Sequence, residues 1–332
     1  MTTFNGVMRS VSAAARRAER ENHRRAREAD RMYKAQQKQK VLADASQDYQ
    51  SFTNYIDVIQ SVHKGDIEPI EWELILEEPQ PEKPILQHTH EERAKLVKSR
   101  YVPSFFDKLL GRTKKKVEHF EREMVIGASR DKSIHEAELK KHTEALNDWN
   151  KLQLIAKGVL NREIEAYRDA LVYFNPFSEI SALGSNLNLR IEPNHIEVDV
   201  YVNNTDIIPN YVLTLTSTGK LSRKNMPIAR FNELYQDHVC SCVLRIAREA
   251  LAHLPVKFVV VNAMGNLLNS KTGRVEEQAV VSVAVYPETF QYINFESVDP
   301  SDCMSNFIHN MRFSKNAGLA PVQKIESHTL SR

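Results

Sequence analysis

The sequence predicts an α+β fold: an N-terminal long-helix hairpin, coiled-coil-like, followed by a sheet-plus-helix domain of order βββαββα. Three observations lead there. No glycine or proline falls between Val7 and His63, where Ala, Arg, Glu, Gln and Lys dominate, so the intrinsic preference is helical. A second stretch, from about Arg112 to Asn161, has only Gly127 and Gly158 as weak points and carries apolar residues at roughly heptad spacing. After Tyr173-Phe174-Asn175-Pro176-Phe177 the apolar period drops from three-to-four to two, which is the change from helix to strand.

In chain order, residues 1–40 form a basic arm, helical or disordered, whose apolar positions are mostly alanines. Leu42, Ala45, Tyr49, Phe52, Ile56 and Ile59 then step by three and four, the stripe of a helix packed on a partner, so packing begins near Val41. Residues 64–90 hold Pro69, Pro79, Pro81 and Pro84 among seven carboxylates around Trp72 and read as an acidic connector. Val117, Phe120, Met124, Ala128, Ile134, Ala145, Trp149, Leu152 and Ala156 line the next long helix. The first helix is expected to lie along it, which makes 41–174 a helical hairpin.

From 175 to 332 an α+β domain is expected. Leu187 to Glu192, His195 to Val202 and Tyr211 to Ser217 alternate as strands, with Ile196, Val198, Val200 and Val202 on one face and Glu197, Asp199 and Tyr201 on the other. Met226-Pro227 opens an amphipathic helix to about His253, with proline where its missing N–H costs nothing. Val256 to Ala263 is almost wholly apolar, as a central strand is, and Gln278 to Tyr286 follows a long loop from Asn262 to Gly273. A short helix or two are expected from Asp299-Pro300-Ser301-Asp302 to Phe313.

Composition excludes several classes. At 332 residues, 42% hydrophobic and 27% charged, the chain is neither collagenous nor wholly disordered. It has no run of ~18 apolar residues and no apolar N-terminal leader, so neither a membrane span nor a signal peptide is expected, and the expected location is cytoplasmic with no membrane partner. Three cysteines without CxxC spacing are expected to stay reduced. The net charge of +2 gives no global attraction to nucleic acid. Charge is segregated, however: residues 1–40 carry eleven cations against four carboxylates. Of these, Arg16, Arg17, Arg20, Arg24, Arg25, Arg27, Arg31, Lys34, Lys38 and Lys40 are the candidate nucleic-acid-binding residues, suited to phosphate contact without base readout.

Catalytic candidates come from a partial likeness in element order to magnesium-dependent PD-(D/E)xK nucleases, which gather acids and a lysine around a divalent ion. Glu197 and Asp199 supply acids on the second strand, but the third carries none, and the nearest cations are Lys220 and Lys224 in the loop that follows. Alternation alone also accounts for polar residues at 197 and 199. The Thr216 to Lys224 loop has hydroxyls, Gly219 and three cations but lacks Walker spacing. His238 and Cys242 share one helix face, and His88, His90 and Glu91 form a second small cluster. Neither has enough partners for a metal or nucleophile site, so no metal ligands are assigned. Glu276-Glu277 is placed opposite Asn262, and Asp299 with Asp302 reads as a helix cap.

Four stretches, Phe105 to Arg112, Leu213 to Pro227, Phe231 to Glu249 and Asp299 to Asp302, together resemble a widespread family of uncharacterised bacterial cytoplasmic proteins. The resemblance implies a bacterial, cytoplasmic setting and one continuous two-part architecture. It carries no activity and no cofactor. The expected function is therefore that of a non-enzymatic binding or assembly protein whose basic N-terminal helix meets nucleic-acid phosphates or an acidic partner. Two alternatives stay open: a nuclease or phosphoryl hydrolase in the C-terminal domain, with Mg2+ as its cofactor, and a coiled-coil protein that forms homo-oligomers through the helical hairpin.

Overall fold

A computed structural model describes residues 32, 40–178, 180, 186–202, 205–269 and 272–330. It is α+β, with one helix of 48 residues and a mixed β-sheet. The basic-arm candidates Arg16 to Lys38 lie outside the described residues, and Lys40, exposed, lies in helix α1, described over 40–60.

The stripe on α1 packs, but on a different partner from the one expected. Ile56 and Ile59 are buried against Ile208 and Leu234, with Phe52, Phe231 and Tyr235 around them. This seats α1 on α7 (Ile228–His253) instead of along the long helix α5 (Thr113–Leu160). An apolar stripe states that a face is covered, and the match of side chains decides by what.

What lies along α5 is the acidic connector and the helices around it: α2 (Trp72–Glu77), α3 (Thr89–Ser99) and α4 (Phe105–Leu109). This strand of chain runs antiparallel to α5. Gln153 Nε2 donates to Ile75 O, Trp149 Nε1 to Glu78 O, and His142 Nε2 meets Pro81 O. Further out, Asp131 accepts from the amides of His90 and Glu91, and Lys98 pairs with Glu121. Beyond α2 the prolines keep the connector from continuing as a helix, and donors spaced four and seven residues apart on one face of α5 reach its carbonyls, Ile75 O accepting from the Glu78 amide as well.

After α6 (Ile164–Phe174) the sheet begins. Its order is β1 (Asn186–Ile191), β2 (His195–Tyr201), β5 (Phe258–Asn269), β6 (Arg274–Val285), β7 (Ile308–Ser314) and β8 (Gly318–Ala320). Only β2 and β5 are parallel, because α7 carries the chain between them as a crossover. One face, with Val198, Val200, Val259, Val261, Val281 and Val283, packs on α7, and the same core continues through Ile155, Val159, Tyr167 and Trp72. The boundary expected at 174/175 thus falls inside a continuous hydrophobic core, and Ser178 and Ile180 beyond it are still helical before β1 begins at Asn186.

Three expectations change. The third strand does not join the sheet: β3 (Tyr211–Leu215) pairs with β4 (Leu221–Asn225) in a separate two-stranded ribbon. The long loop from Asn262 is instead the continuation of β5 beside β6, with a bulge at Ala263/Met264 that lets both strands extend. Helix α9 (Pro300–Cys303), which follows the single turn of α8 (Pro287–Phe290), ends early. Ile308 to Ser314 then alternates as β7, because Phe307 and Met304 already fill the helix-facing core.

Candidate functional site

The second face of the sheet carries the two carboxylates singled out from the sequence. On β2 the pattern His-Ile-Glu-Val-Asp-Val-Tyr turns Ile196, Val198 and Val200 to α7 and leaves Glu197 and Asp199 opposite. On β5 and β6 two apolar runs are each broken by one polar residue, Asn262 and Ser282. Strand register aligns these breaks: Asn188 pairs with Asp199, Asp199 with Asn262, Asn262 with Ser282, and Ser282 with Asn310. A polar row therefore crosses five strands.

Asn262 and Ser282 are fully buried and must be satisfied by protein groups. Asn262 Nδ2 donates to Asp199 Oδ1 at 2.9 Å and, at 3.3 Å, to Glu197 Oε1. Ser282 Oγ donates to Asn262 Oδ1 at 2.6 Å and accepts from the amide of Ile325 at 2.8 Å. Lys324 Nζ reaches both Asp199 oxygens, at 2.8 and 2.7 Å, and Arg190 Nη1 lies 2.6 Å from Glu197 Oε2. The row is thus two carboxylates balanced by two cations, and it seats the C-terminal segment: Ile325 and Leu330 cover Phe258, Val260 and Ala284 beside it. A cavity of about 620 Å³ between Asn310 and Gln323 opens at the β7 end.

Of the four catalytic candidates, Glu197 and Asp199 come together through Asn262. Lys220 and Lys224 lie on the β3–β4 ribbon, exposed, with the neighbouring Arg223 guanidinium 3.8 Å from the centre of the Tyr211 ring. The lysine that meets Asp199 is Lys324, a residue missed in the sequence because 125 positions separate the two. Asn262 and Ser282 did leave a signal, as lone polar residues inside apolar strands. Among the described residues no group of three or more His, Cys, Asp or Glu side chains is arranged to hold a metal ion.

His238 and Cys242 serve a different end. Along α7 the residues His238, Ser241, Arg245 and Arg248, spaced by three and four, receive the C-terminal end of α1. His238 Nδ1 meets Ile59 O, Ser241 Oγ meets both the amide and Nδ1 of His63, Arg245 donates to Lys64 O, and Arg248 donates to His63 O and Gly65 O. Carbonyls left open at a helix end are closed in this way. Burial lowers the pKa of His238 and of His63, with Lys64 adding to the effect at His63. Burial pushes the Cys242 thiol up to about 12, so neither half of the pair has the ionisation of a Cys–His nucleophile.

The remaining candidates are structural. His88 Nδ1 lies 3.0 Å from Glu91 Oε2 at the start of α3. Asp299 caps α9 by accepting from the amides of Ser301 and Asp302. Glu276 stands opposite Leu267, not Asn262, and accepts from Asn269 and Thr272 at the end of the β5–β6 hairpin. Among the described residues no helix is long and apolar enough to cross a membrane. No family model, curated protein or solved structure matches this chain.

Proposed function

We propose that this chain is a binding protein of the bacterial cytoplasm, in which a folded α+β body carries a basic N-terminal segment that contacts phosphates of nucleic acid or an acidic partner. The observation that carries the reading is charge segregation: eleven of the 45 Lys and Arg residues fall in the first 40 positions, against four of the 43 carboxylates. The polar row supports it from the other side. Every oxygen of Glu197 and Asp199 already accepts from Arg190, Lys324 or Asn262, so the row clamps the C-terminal segment. The test is fluorescence anisotropy of labelled DNA and RNA with the full chain and with residues 1–40 removed, at about 50 and 200 mM salt. Binding that weakens steeply with salt and disappears with the segment is expected. Retention of binding in the truncated chain overturns the reading.

A second reading, a magnesium-dependent phosphodiesterase, is favoured by one observation. Two carboxylates and a lysine, Glu197, Asp199 and Lys324, share one partly open sheet face. An ion there would have to displace Lys324 from Asp199. Magnesium-dependent cleavage lost in both Asp199→Asn and Glu197→Gln, with fold retained, supports this reading, and cleavage that survives both excludes it.

A further inference from the structure

The far end of α5 carries a feature that the polar row and the basic segment leave unused. Val102, Phe105, Phe106, Leu109 and Leu110 are 81, 73, 69, 69 and 56% exposed, five large apolar side chains within nine residues. Single exposed hydrophobics are ordinary, but a contiguous group marks an interaction site. This group stands at the end of the helical projection formed by α5. Val159, at the other end of α5, is in the core, and the rise of an α-helix places Thr113 about 70 Å away from it.

The projection is built, not frayed. Ser104 and Asp107 form a reciprocal capping box at the start of α4. Asp107 also accepts from Tyr101 Oη at 3.0 Å and from Lys116 Nζ at 2.9 Å, and Lys116 lies over the Tyr101 ring. The one carboxylate between Arg100 and Lys116 is therefore turned inward and neutralised. Arg100, Lys108, Arg112, Lys114 and Lys115 are exposed, and none of them is ion-paired among the described residues. Between Arg100 and Lys116 the tip thus exposes apolar side chains with cations on both flanks of them, Ser104 and Gly111 being the other exposed positions, and the next exposed carboxylate is Glu118, one turn further along α5.

We propose that this tip, Val102 to Lys115, docks on an anionic phospholipid surface, with Phe105, Phe106, Leu109 and Leu110 entering the headgroup–acyl boundary and the flanking cations meeting lipid phosphates. An exposed apolar cap flanked by cations is complementary to such a surface in both respects: apolar side chains leave water while Lys and Arg stay at the phosphate level. A protein groove would need matching carboxylates around an apolar slot, and a duplex would leave the Phe and Leu side chains wet. The proposal departs from the expected absence of a membrane partner, which rested on the absence of a spanning segment. It is independent of the phosphate-binding role of residues 1–40.

The test uses the full chain carrying Phe106→Trp, mixed with phosphatidylcholine vesicles with and without about one-third phosphatidylglycerol. Because the basic segment could by itself draw the chain to anionic vesicles, the readout is the emission at position 106, taken as the difference from the parent with its two tryptophans. A shift to shorter wavelength, quenched by brominated acyl chains and seen only with the anionic vesicles, is expected. Leu109→Glu with Leu110→Glu in the Phe106→Trp chain should lower the partition constant read from the emission at position 106 on the order of tenfold or more and leave DNA anisotropy unchanged. No shift with either vesicle overturns the proposal. So does a shift that grows with protein concentration without vesicles, which assigns the tip to a second copy of the chain.

Discussion

Gly127 of α5 faces the main-chain carbonyl of His90 so closely that a Cβ at position 127 would stand 2.8 Å from that oxygen. One turn further along α5, Asp131 accepts from the amides of His90 and Glu91 and so caps α3 from another helix. Burial opposes ionisation of Asp131, yet those two amides hold its carboxyl below the usual value. In an isolated helix alanine is favoured over glycine by about 1 kcal/mol. Here Gly127→Ala is expected to destabilise by about 1–3 kcal/mol, because backbone must move to admit a methyl group. Chemical denaturation of the two proteins checks the sign, and an increase in stability would refute the close docking of α3.

Ser282 holds two relationships at once, donating to Asn262 and accepting from Ile325. Ser282→Ala leaves a buried amide oxygen and a buried backbone N–H without their partner, a loss of about 1–3 kcal/mol. The C-terminal segment should also become the first site of proteolysis. Mass spectrometry of early digestion fragments shows whether cleavage moves to residues near Lys324.

The α1–α7 joint is expected to weaken in acid. His63 and His238 have folded pKa values below the ordinary 6.5, mainly through burial. The unfolded chain therefore binds protons first as pH falls. Their contribution is complete above about 6.5 and is lost as pH drops through the folded values. Hydrogen exchange of residues 50–60 should accelerate between pH 7.5 and 5.5 relative to the sheet amides, after correction for intrinsic rates. His238→Gln should blunt that dependence, and an unchanged profile would count against a neutral imidazole at this joint.

All three thiols are buried and have raised pKa values, Cys242 to about 12. An aromatic disulfide reagent should label none of them in the native protein and three per chain after denaturation, with labelling following global unfolding. Rapid native labelling of any cysteine would place it outside the core.

How much of this was legible in the sequence depends on distance along the chain. Alternation in His195 to Tyr201 assigned the inward valines, and the 3.6 period of 228–253 assigned the helix above them, because both signals are local. The stripe of α1 showed a covered face but could not name Leu234 and Ile208 as its cover. Glu197 and Asp199 were visible as a pair, whereas the approach of Lys324 depends on the strand order and on the path of the last twenty residues. Ile308 to Ser314 was misread because the cap at Asp299 is a true helix start that lasts only one turn.

The length of α5 has a mechanical consequence. Its inner end is fixed in the core at Val159, and its outer end holds Phe105 and Phe106 on α4. Over that reach a rotation of about 5° at the inner end carries Thr113 sideways by about 6 Å. The helix is therefore a lever: repacking of a few tenths of an ångström around Val159 is magnified at the tip into a displacement of several ångströms.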